Sequence, residues 1–175
     1  MPPFIAGLPL HPLVVHAVVV LVPLAVLATI IVAVWPAARA HYGWLAVGVT
    51  AAATATIPIA LDSGDELRAR LPDNALIAQH ADLGDQLLIL VAPLFVMVTA
   101  LMFVHRARTH VKRTEGPGAT IAARPARWVR PTAITLSVLT VALAVGSAVQ
   151  VVRIGDSGAR AAWSDTNYIQ PTHGG

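Results

Sequence analysis

Four long apolar runs constrain this chain more than any other feature of its sequence. They cover about residues 13–35, 42–61, 87–104 and 132–152, and none of them contains Asp, Glu, Lys or Arg. Each has about the 20 residues that a helix needs to cross a bilayer. Only helices or closed barrels can cross, because every backbone group must be paired within the lipid, and the runs lack the alternation of barrel strands. They predict four transmembrane helices.

The composition also indicates an integral membrane protein. Hydrophobic residues make up 56% of the chain and charged residues only 12%, whereas a soluble domain has roughly 25% charged residues. So few charges cannot cover the surface of a water-soluble globule. A chain of 175 residues has the length of one domain. We therefore expect an all-α membrane bundle of four transmembrane helices that occupies residues 1–175.

The distribution of basic residues predicts the orientation of this bundle. Eight of the twelve Lys and Arg residues follow the first or the third run, seven of them in the segment 105–130. The side with more basic residues is normally cytoplasmic. We therefore expect a basic cytoplasmic loop at 105–130, with both termini and the tail 153–175 on the non-cytoplasmic side of the bacterial plasma (inner) membrane. The net charge of +3 would suggest a nucleic-acid partner in a soluble protein. Here the excess of basic residues follows from membrane topology, so we expect no nucleic-acid partner.

Several classes of chemistry are excluded or disfavoured. The chain has no cysteine, which excludes disulfides, thiolate zinc sites and iron–sulfur ligation. A hydrolase triad of Ser157, His80 and Asp156 is disfavoured because no nucleophile elbow surrounds the serine. We assign no catalytic residue and expect no independent catalytic activity.

Other local patterns predict packing and turns. Gly48 and Ala52 have the four-residue spacing of a close helix contact, and Pro23, Pro58 and Pro93 lie inside three of the runs. The segments 62–65 and 155–158 predict turns after the second and fourth runs. Asp73 or Asn74 is expected to start a helix that continues into the third run. We find no repeat of one helix pair in the other, which argues against a small inverted-repeat transporter.

Three of the seven histidines belong to the predicted outer membrane face. His11 and His16 flank the start of the first run, and His80 precedes the third run by one to two turns. Asp156 follows the fourth run and is expected near them, as a ligand or as a partner that orients an imidazole. A polar group within a membrane normally faces the bundle interior and has a partner. These four residues are therefore the candidate site.

Three interpretations of this site remain open. In the first, His16 and His80 bond to backbone or carboxylate groups and hold the helix ends together. In the second, the neutral imidazoles of His16 and His80 hold haem b between helices. In the third, His11, His16, His80 and Asp156 bind zinc or copper. The spacing contains no tight ligand motif that would decide among them.

The opening of the chain resembles a known family. The run from Leu8 to His16, Leu-Pro-Leu-His-Pro-Leu-Val-Val-His, followed by an apolar span with Pro23, is similar to the start of a bacterial membrane-protein family called domain of unknown function 2231. The resemblance implies four helices and a histidine before the third, where His80 lies. It also implies a Gly-His-x-Gly-type motif after the fourth, where this chain has Asp156 in place of the histidine.

The resemblance also implies a type of function. Some relatives in that family are joined to Rieske-type domains, which points to electron transfer. We therefore expect a haem- or metal-binding electron-transfer component of the membrane that uses His16 and His80, with the lipid bilayer, a redox or membrane-complex partner and further copies of itself as partners. The alternative is a structural or accessory subunit of a membrane complex without any cofactor.

Overall fold

The protein is a four-helix bundle. The computed structural model describes residues 4–5, 8–114 and 129–163, with side chains over 10–109 and 130–163. Before the first helix, a pair of two-residue antiparallel strands places Phe4 opposite Pro9. The strands and helices are β1 (Phe4–Ile5), β2 (Leu8–Pro9), α1 (Leu10–Val34), α2 (Pro36–Arg68), α3 (Ala75–Thr114) and α4 (Val129–Trp163). The predicted all-α bundle is confirmed.

All four helices are long and apolar enough to cross a membrane. Their candidate spans are Leu10–Val34, Pro36–Arg68, Ala75–Thr109 and Arg130–Trp163. Only 22% to 39% of the residues in each apolar window are buried, so most apolar side chains face outwards, where lipid can cover them. The protein therefore has the surface of a membrane bundle rather than that of a soluble one.

Each helix packs on the two that neighbour it around the bundle, and α1 and α3 lie diagonally opposite with little contact. The chain runs up and down, so α1 and α3 begin at the end of the bundle where α2 and α4 finish. We call this end the histidine end, because His11 and His80 lie there. The opposite end is called the arginine end, after the buried Arg39.

The middle of the bundle is apolar, and its fully buried hydroxyl groups bond within their own helices, whereas Oγ1 of Thr99 has no partner among the described residues. Val22, Val91 and Leu94 are fully buried in the main core. Four buried hydroxyl groups donate to the carbonyl four residues earlier, at 2.7 to 2.8 Å, which removes the need for a partner on another helix. These residues are Thr29, Thr50, Thr140 and Ser147.

The helices extend further than the apolar runs. The turns expected at 62–65 and 155–158 are helical, because α2 continues to Arg68 and α4 to Trp163. The third helix continues to Thr114, through the first part of the predicted basic loop. The rest of that loop, 115–128, and the tail from 164 onwards lie outside the described residues.

Asn74, one of the two residues that the sequence offered for this role, begins the third helix. Its Oδ1 accepts a hydrogen bond from the backbone N–H of Leu76 at 2.8 Å, and its carbonyl oxygen accepts one from Ala78 at 3.0 Å. This is the pattern of an N-cap residue.

The predicted small-residue contact of the second helix lies elsewhere. Gly48 and Ala52 are exposed, and a Cβ atom on Gly48 would meet nothing within 4 Å. Gly43 makes the close approach instead, because a Cβ atom there would overlap Sδ of Met102 on α3. The face of α2 that carries Gly43 and the fully buried Ala53 is the one turned to the bundle.

The second hairpin, α3–α4, matches the first, α1–α2, position by position. A shift of 69 residues carries α1 onto α3, and a shift of 94 residues carries α2 onto α4. Six of the seven buried positions of α1 fall on buried positions of α3. These pairs are Val18 and Leu87, Val22 and Val91, Ala25 and Leu94, Thr29 and Val98, Val32 and Leu101, and Ala33 and Met102.

The same correspondence holds for the other two helices. Ala46 and Thr140, Thr50 and Ala144, Ala53 and Ser147, and Ser63 and Ser157 are buried pairs. Since α1 lies opposite α3, the two hairpins are related by an approximate twofold rotation about the bundle axis. The sequence comparison missed this repeat because few of the paired residues are identical.

Arg39 closes the arginine end. Pro36 has no backbone N–H, so the carbonyl of Val32 loses its helical partner at the turn between α1 and α2. Nε of Arg39 donates to that carbonyl at 2.7 Å, and Nη2 donates to the carbonyl of Ala33 and to Oγ of Ser137 on α4. The residue is only 7% exposed. It therefore joins three helices, although the sequence places it among loop charges.

Replacing Arg39 should destabilise the bundle. We expect Arg39→Met to lower the free energy of unfolding by about 2 kcal/mol, because two carbonyl groups and one hydroxyl lose a charged donor. Thermal unfolding of the detergent-solubilised protein measures this. Arg106→Met is the matched control, since Arg106 is exposed on α3. Equal melting temperatures for the two variants would contradict the role of Arg39.

Candidate functional site

His11 lies in the first turn of α1 and packs on the end of α2. Its Nδ1 is 3.1 Å from the carbonyl oxygen of Ala60 and 3.3 Å from Oγ of Ser63. A carbonyl oxygen can only accept, so Nδ1 carries the proton and donates. In the neutral ring, Nε2 is then unprotonated and has a free lone pair.

His80 lies in the second turn of α3 and packs on the end of α4 in the same manner. Its Nδ1 is 3.1 Å from Oγ of Ser157. The hydroxyl hydrogen of Ser157 is donated to the carbonyl of Ile154 at 2.9 Å, so its oxygen is left to accept from Nδ1–H. The neutral ring of His80 therefore has the same tautomer as that of His11, in which Nε2 is the unprotonated nitrogen.

A glycine beneath each ring makes room for it. A Cβ atom on Gly64 would lie 3.0 Å from Cε1 of His11, and one on Gly158 would lie 3.0 Å from Cε1 of His80. Any other residue would force the ring to move. We call each set a histidine cradle: His11 with Ser63 and Gly64, and His80 with Ser157 and Gly158.

The two cradles occupy equivalent places in the two hairpins. His80 follows His11 by 69 residues, and the Asp-Ser-Gly run at 156–158 follows the one at 62–64 by 94 residues, which are the shifts that superimpose the hairpins. Both serines are 6% exposed. Both cradles lie at the same end of the bundle, where α1 and α3 begin and α2 and α4 finish. Each half of the molecule thus contributes one half-buried histidine to the histidine end.

His16 has a different environment. It is exposed on the side of α1 that faces away from the bundle, and its Nδ1 donates to the carbonyl of Pro12 in its own helix. His41 on α2 is also exposed and donates to the carbonyl four residues before it. His11 and His80 therefore share one kind of environment, and His16 has another.

Asp156 points away from the histidines. It is exposed and forms an ion pair with Arg160 at 2.9 Å. Its neighbour Ser157 takes the orienting role that the sequence assigned to the carboxylate. No triad forms, because the Ser157 hydroxyl donates to a backbone carbonyl and Asp156 is engaged elsewhere. Within the described ranges, no group of three or more His, Asp or Glu residues is arranged to hold a metal ion.

The sequence did not indicate that Ser63, Gly64 and Gly158 belong to the cradles. The detectable signal was the Asp-Ser-Gly run that occurs near the end of both α2 and α4. It was interpreted as two turns, whereas the run is helical and its small residues admit a ring from the neighbouring helix.

Gln150 fixes the helix pair that carries the second cradle. It is 4% exposed, and its Nε2 donates to the carbonyl of Leu83 on α3 at 2.7 Å. Nη1 of Arg153 lies 3.4 Å from its Oε1. The contact lies about two helical turns from Ser157 and holds α3 against α4.

The tautomers can be measured directly. We expect the side-chain ¹⁵N spectrum of histidine-labelled protein to show a protonated Nδ1 and an unprotonated Nε2 for both His11 and His80 at pH 8. Assignment uses the His11→Gln and His80→Gln variants. The opposite tautomer in either ring would contradict the hydrogen bonds described.

The glycines give a second test with an internal control. Gly158→Ala should shift the ¹⁵N signals of His80 and leave those of His11 unchanged. Gly64→Ala should shift the signals of His11 and leave those of His80 unchanged, because a Cβ atom displaces only the ring above it. Both should lower the melting temperature. Gly155→Ala should not, since nothing lies within 4 Å of a Cβ atom there and alanine favours a helix by about 1 kcal/mol. Unchanged histidine signals in both variants would contradict the close contact between each glycine and its ring.

Comparison with known proteins agrees with the architecture. No curated protein and no solved structure matches the chain. A family model described as a predicted membrane protein (DUF2231) matches residues 7–171, a range that includes both cradles and all four helices. The chain therefore belongs to the DUF2231 family of predicted membrane proteins.

Proposed function

We propose that this membrane protein holds a haem or a metal ion through Nε2 of His11 and Nε2 of His80, and that it serves in electron transfer. The observation that carries the proposal is the state of the two rings. Each Nδ1 is within hydrogen-bond distance of a hydroxyl or a carbonyl on the neighbouring helix, so in the neutral ring Nε2 is the nitrogen that has no proton. Histidines that bind metals almost always donate their second nitrogen in this way, which fixes both the tautomer and the ring orientation.

The donor set favours haem over zinc. A haem iron needs only one nitrogen from each side of the porphyrin, and a helical bundle can supply both. A structural zinc ion takes four protein ligands, and the described residues offer no third carboxylate or imidazole at this place. The bound iron would supply a reversible one-electron change. The residues of the chain would bind and orient it.

The proposal changes one ligand that the sequence suggested. His16 lies on the exposed side of α1 with its ring bonded to its own helix, so a ligand between helices would not reach it. His11 begins the same helix and is turned towards α2. The mixed site that adds His16 and Asp156 is not favoured, because both are exposed on outward faces.

We also propose that the histidine end faces the non-cytoplasmic side, in the bacterial plasma membrane. The described acidic residues lie at this end, on the last turns of α2, in the connection from α2 to α3, on the first turns of α3 and on the last turns of α4. Among the described residues, Arg106, Arg108 and Arg130 lie at the opposite end. A redox partner would then approach from outside the cell, where both cradles are half exposed.

A cofactor-free accessory subunit is the second candidate. The specific observation in its favour is that each cradle already joins two helices: His11 links α1 to α2, and His80 links α3 to α4. Histidines with that role alone would hold the helix ends together and leave Nε2 in water. The two candidates differ in whether the purified protein contains a bound cofactor and in which histidine variants lose that cofactor.

The decisive test is an ultraviolet–visible spectrum of the detergent-purified protein, oxidised and then reduced with dithionite, with metal analysis of the same sample. We expect a Soret band that sharpens on reduction, with one cofactor for each chain. His11→Ala and His80→Ala should each reduce the bound cofactor at least tenfold, whereas His16→Ala and His41→Ala should retain it.

The outcomes separate the alternatives. If His16→Ala and His80→Ala lose equal amounts of bound cofactor while His11→Ala retains it, the ligands are His16 and His80, the pair expected from the sequence. Absence of haem and metal after supplementation during expression would overturn the cofactor proposal. A stable partner that co-purifies in mild detergent would then support the accessory subunit.

A further inference from the structure

The two histidine cradles occupy equivalent places but differ in their hydrogen bonds. Nδ1 of His11 lies within reach of two acceptors, the carbonyl oxygen of Ala60 at 3.1 Å and Oγ of Ser63 at 3.3 Å. Nδ1 of His80 has one partner among the described residues, Oγ of Ser157 at 3.1 Å. The twofold relation between the hairpins therefore does not extend to the groups that orient the two rings.

A backbone carbonyl accounts for the difference. The carbonyl of Ala60 accepts a hydrogen bond from the Ser63 hydroxyl at 2.9 Å and is also the nearer partner of the His11 ring. The equivalent carbonyl in the second hairpin is that of Ile154, 94 residues later. It accepts from the Ser157 hydroxyl at 2.9 Å but from no described histidine. The second ring is thus linked to the backbone through a serine hydroxyl.

The two kinds of partner constrain a ring differently. A carbonyl oxygen has no proton to give, so an unprotonated Nδ1 of His11 would place its lone pair against those of the oxygen. A hydroxyl group both donates and accepts, and it rotates about its C–O bond. If the Ser157 hydroxyl turns from the Ile154 carbonyl to Nδ1 of His80, it supports the other neutral tautomer, in which Nε2 carries the proton. The first ring therefore has one neutral tautomer that suits its partners, whereas the second has two.

The tautomer decides whether a ring can bind a metal ion. A nitrogen atom coordinates through its lone pair, so an imidazole whose Nε2 is protonated cannot bind a metal through that nitrogen. Which nitrogen coordinates is set by the hydrogen bond that the other one makes. In the first cradle that hydrogen bond goes to the backbone, which no side-chain replacement removes. In the second cradle it goes to a single hydroxyl group.

We propose that Ser157 is the positioning residue that selects the nitrogen His80 presents, so that His80 is the exchangeable ligand of the site and His11 the permanent one. Ser63 is redundant in the first cradle, because the Ala60 carbonyl remains as an acceptor without it. Release of a ligand at the second cradle then needs the rotation of one hydroxyl and the transfer of the ring proton from Nδ1 to Nε2, with no change in charge. The difference in tautomers stands on the hydrogen bonds alone, and the statement about ligands rests on the proposed function.

The tautomers are measured by side-chain ¹⁵N spectra of the cofactor-free, histidine-labelled protein in detergent at pH 8. In Ser63→Ala, His11 should keep a protonated Nδ1. In Ser157→Ala, the form of His80 with a protonated Nδ1 should no longer dominate, and its Nε2 signal should move towards the protonated position. The two substitutions are matched, since each removes a serine that is 6% exposed from the equivalent position of its helix.

The same two variants are then titrated with hemin, and binding is followed by the Soret absorbance. Ser157→Ala should weaken hemin binding about 10- to 100-fold, the usual effect of removing the hydrogen-bond partner of a metal-binding histidine. Ser63→Ala should bind hemin as the unmodified protein does. If Ser157→Ala fails to fold, Ser157→Cys makes the same comparison, because a thiol is only a weak acceptor and should not hold Nδ1 of His80 in its protonated form.

Three results would overturn the proposal. A protonated Nδ1 of His80 in Ser157→Ala would show that another group orients the ring. Equal shifts of His11 in Ser63→Ala and of His80 in Ser157→Ala would show that the two cradles are equivalent. Equal hemin affinities of the two variants would contradict the distinction between a permanent and an exchangeable ligand. If the unmodified protein binds no hemin, the proposed function fails instead, and the ¹⁵N comparison of the two serine variants still decides whether Ser157 selects the tautomer.

Discussion

The apolar middle of this bundle determines where polar contacts between helices can occur. In the middle, the hydroxyls of Thr29, Thr50, Thr140 and Ser147 bond to their own helices, so packing is what joins the four helices there. The interhelical hydrogen bonds of the described residues lie towards the two ends: His11, His80 and Gln150 at one, and Arg39 at the other. Without a hydrophobic effect between helices in lipid, these few contacts have a large share in fixing the arrangement. The polar side chains at these two ends are also the ones that water and soluble ligands can reach.

Because the second hairpin repeats the first, the histidine end contains two equivalent histidine cradles. Each half carries a histidine near the start of its first helix and an Asp-Ser-Gly run near the end of its second. The rotation that relates the halves brings the two cradles to the same end, where each ring keeps its Nδ1 occupied and its Nε2 free. A ligand held by both rings would lie at the junction of the halves, and neither half would suffice. The arginine end breaks this symmetry, because the residue equivalent to Arg39 is Ala133.

The sequence predicted the four spans, the family and a helix start at Asp73 or Asn74, because apolar length and a few local motifs determine them. It could not rank His11 above His16. Five residues on a helix turn it through about 140°, so the two rings point to different sides, and only the packing of α1 decides which side meets the bundle. It interpreted the glycines at 64 and 158 as turn residues, although they make room for a ring. Arg39 was counted as a loop charge, since nothing local shows that two helix carbonyls at the turn need its donors.

The pairing of His11 with His80 is the central claim, and the absence of cysteine from the chain makes it directly measurable. The measurement is cross-linking of double-cysteine variants in membranes with a short bifunctional thiol reagent. His11→Cys combined with His80→Cys should cross-link efficiently, since the two positions are near each other at one end of the bundle. His16→Cys combined with His80→Cys should not, since His16 faces away from it. Efficient cross-linking of the second pair and none of the first would contradict the account.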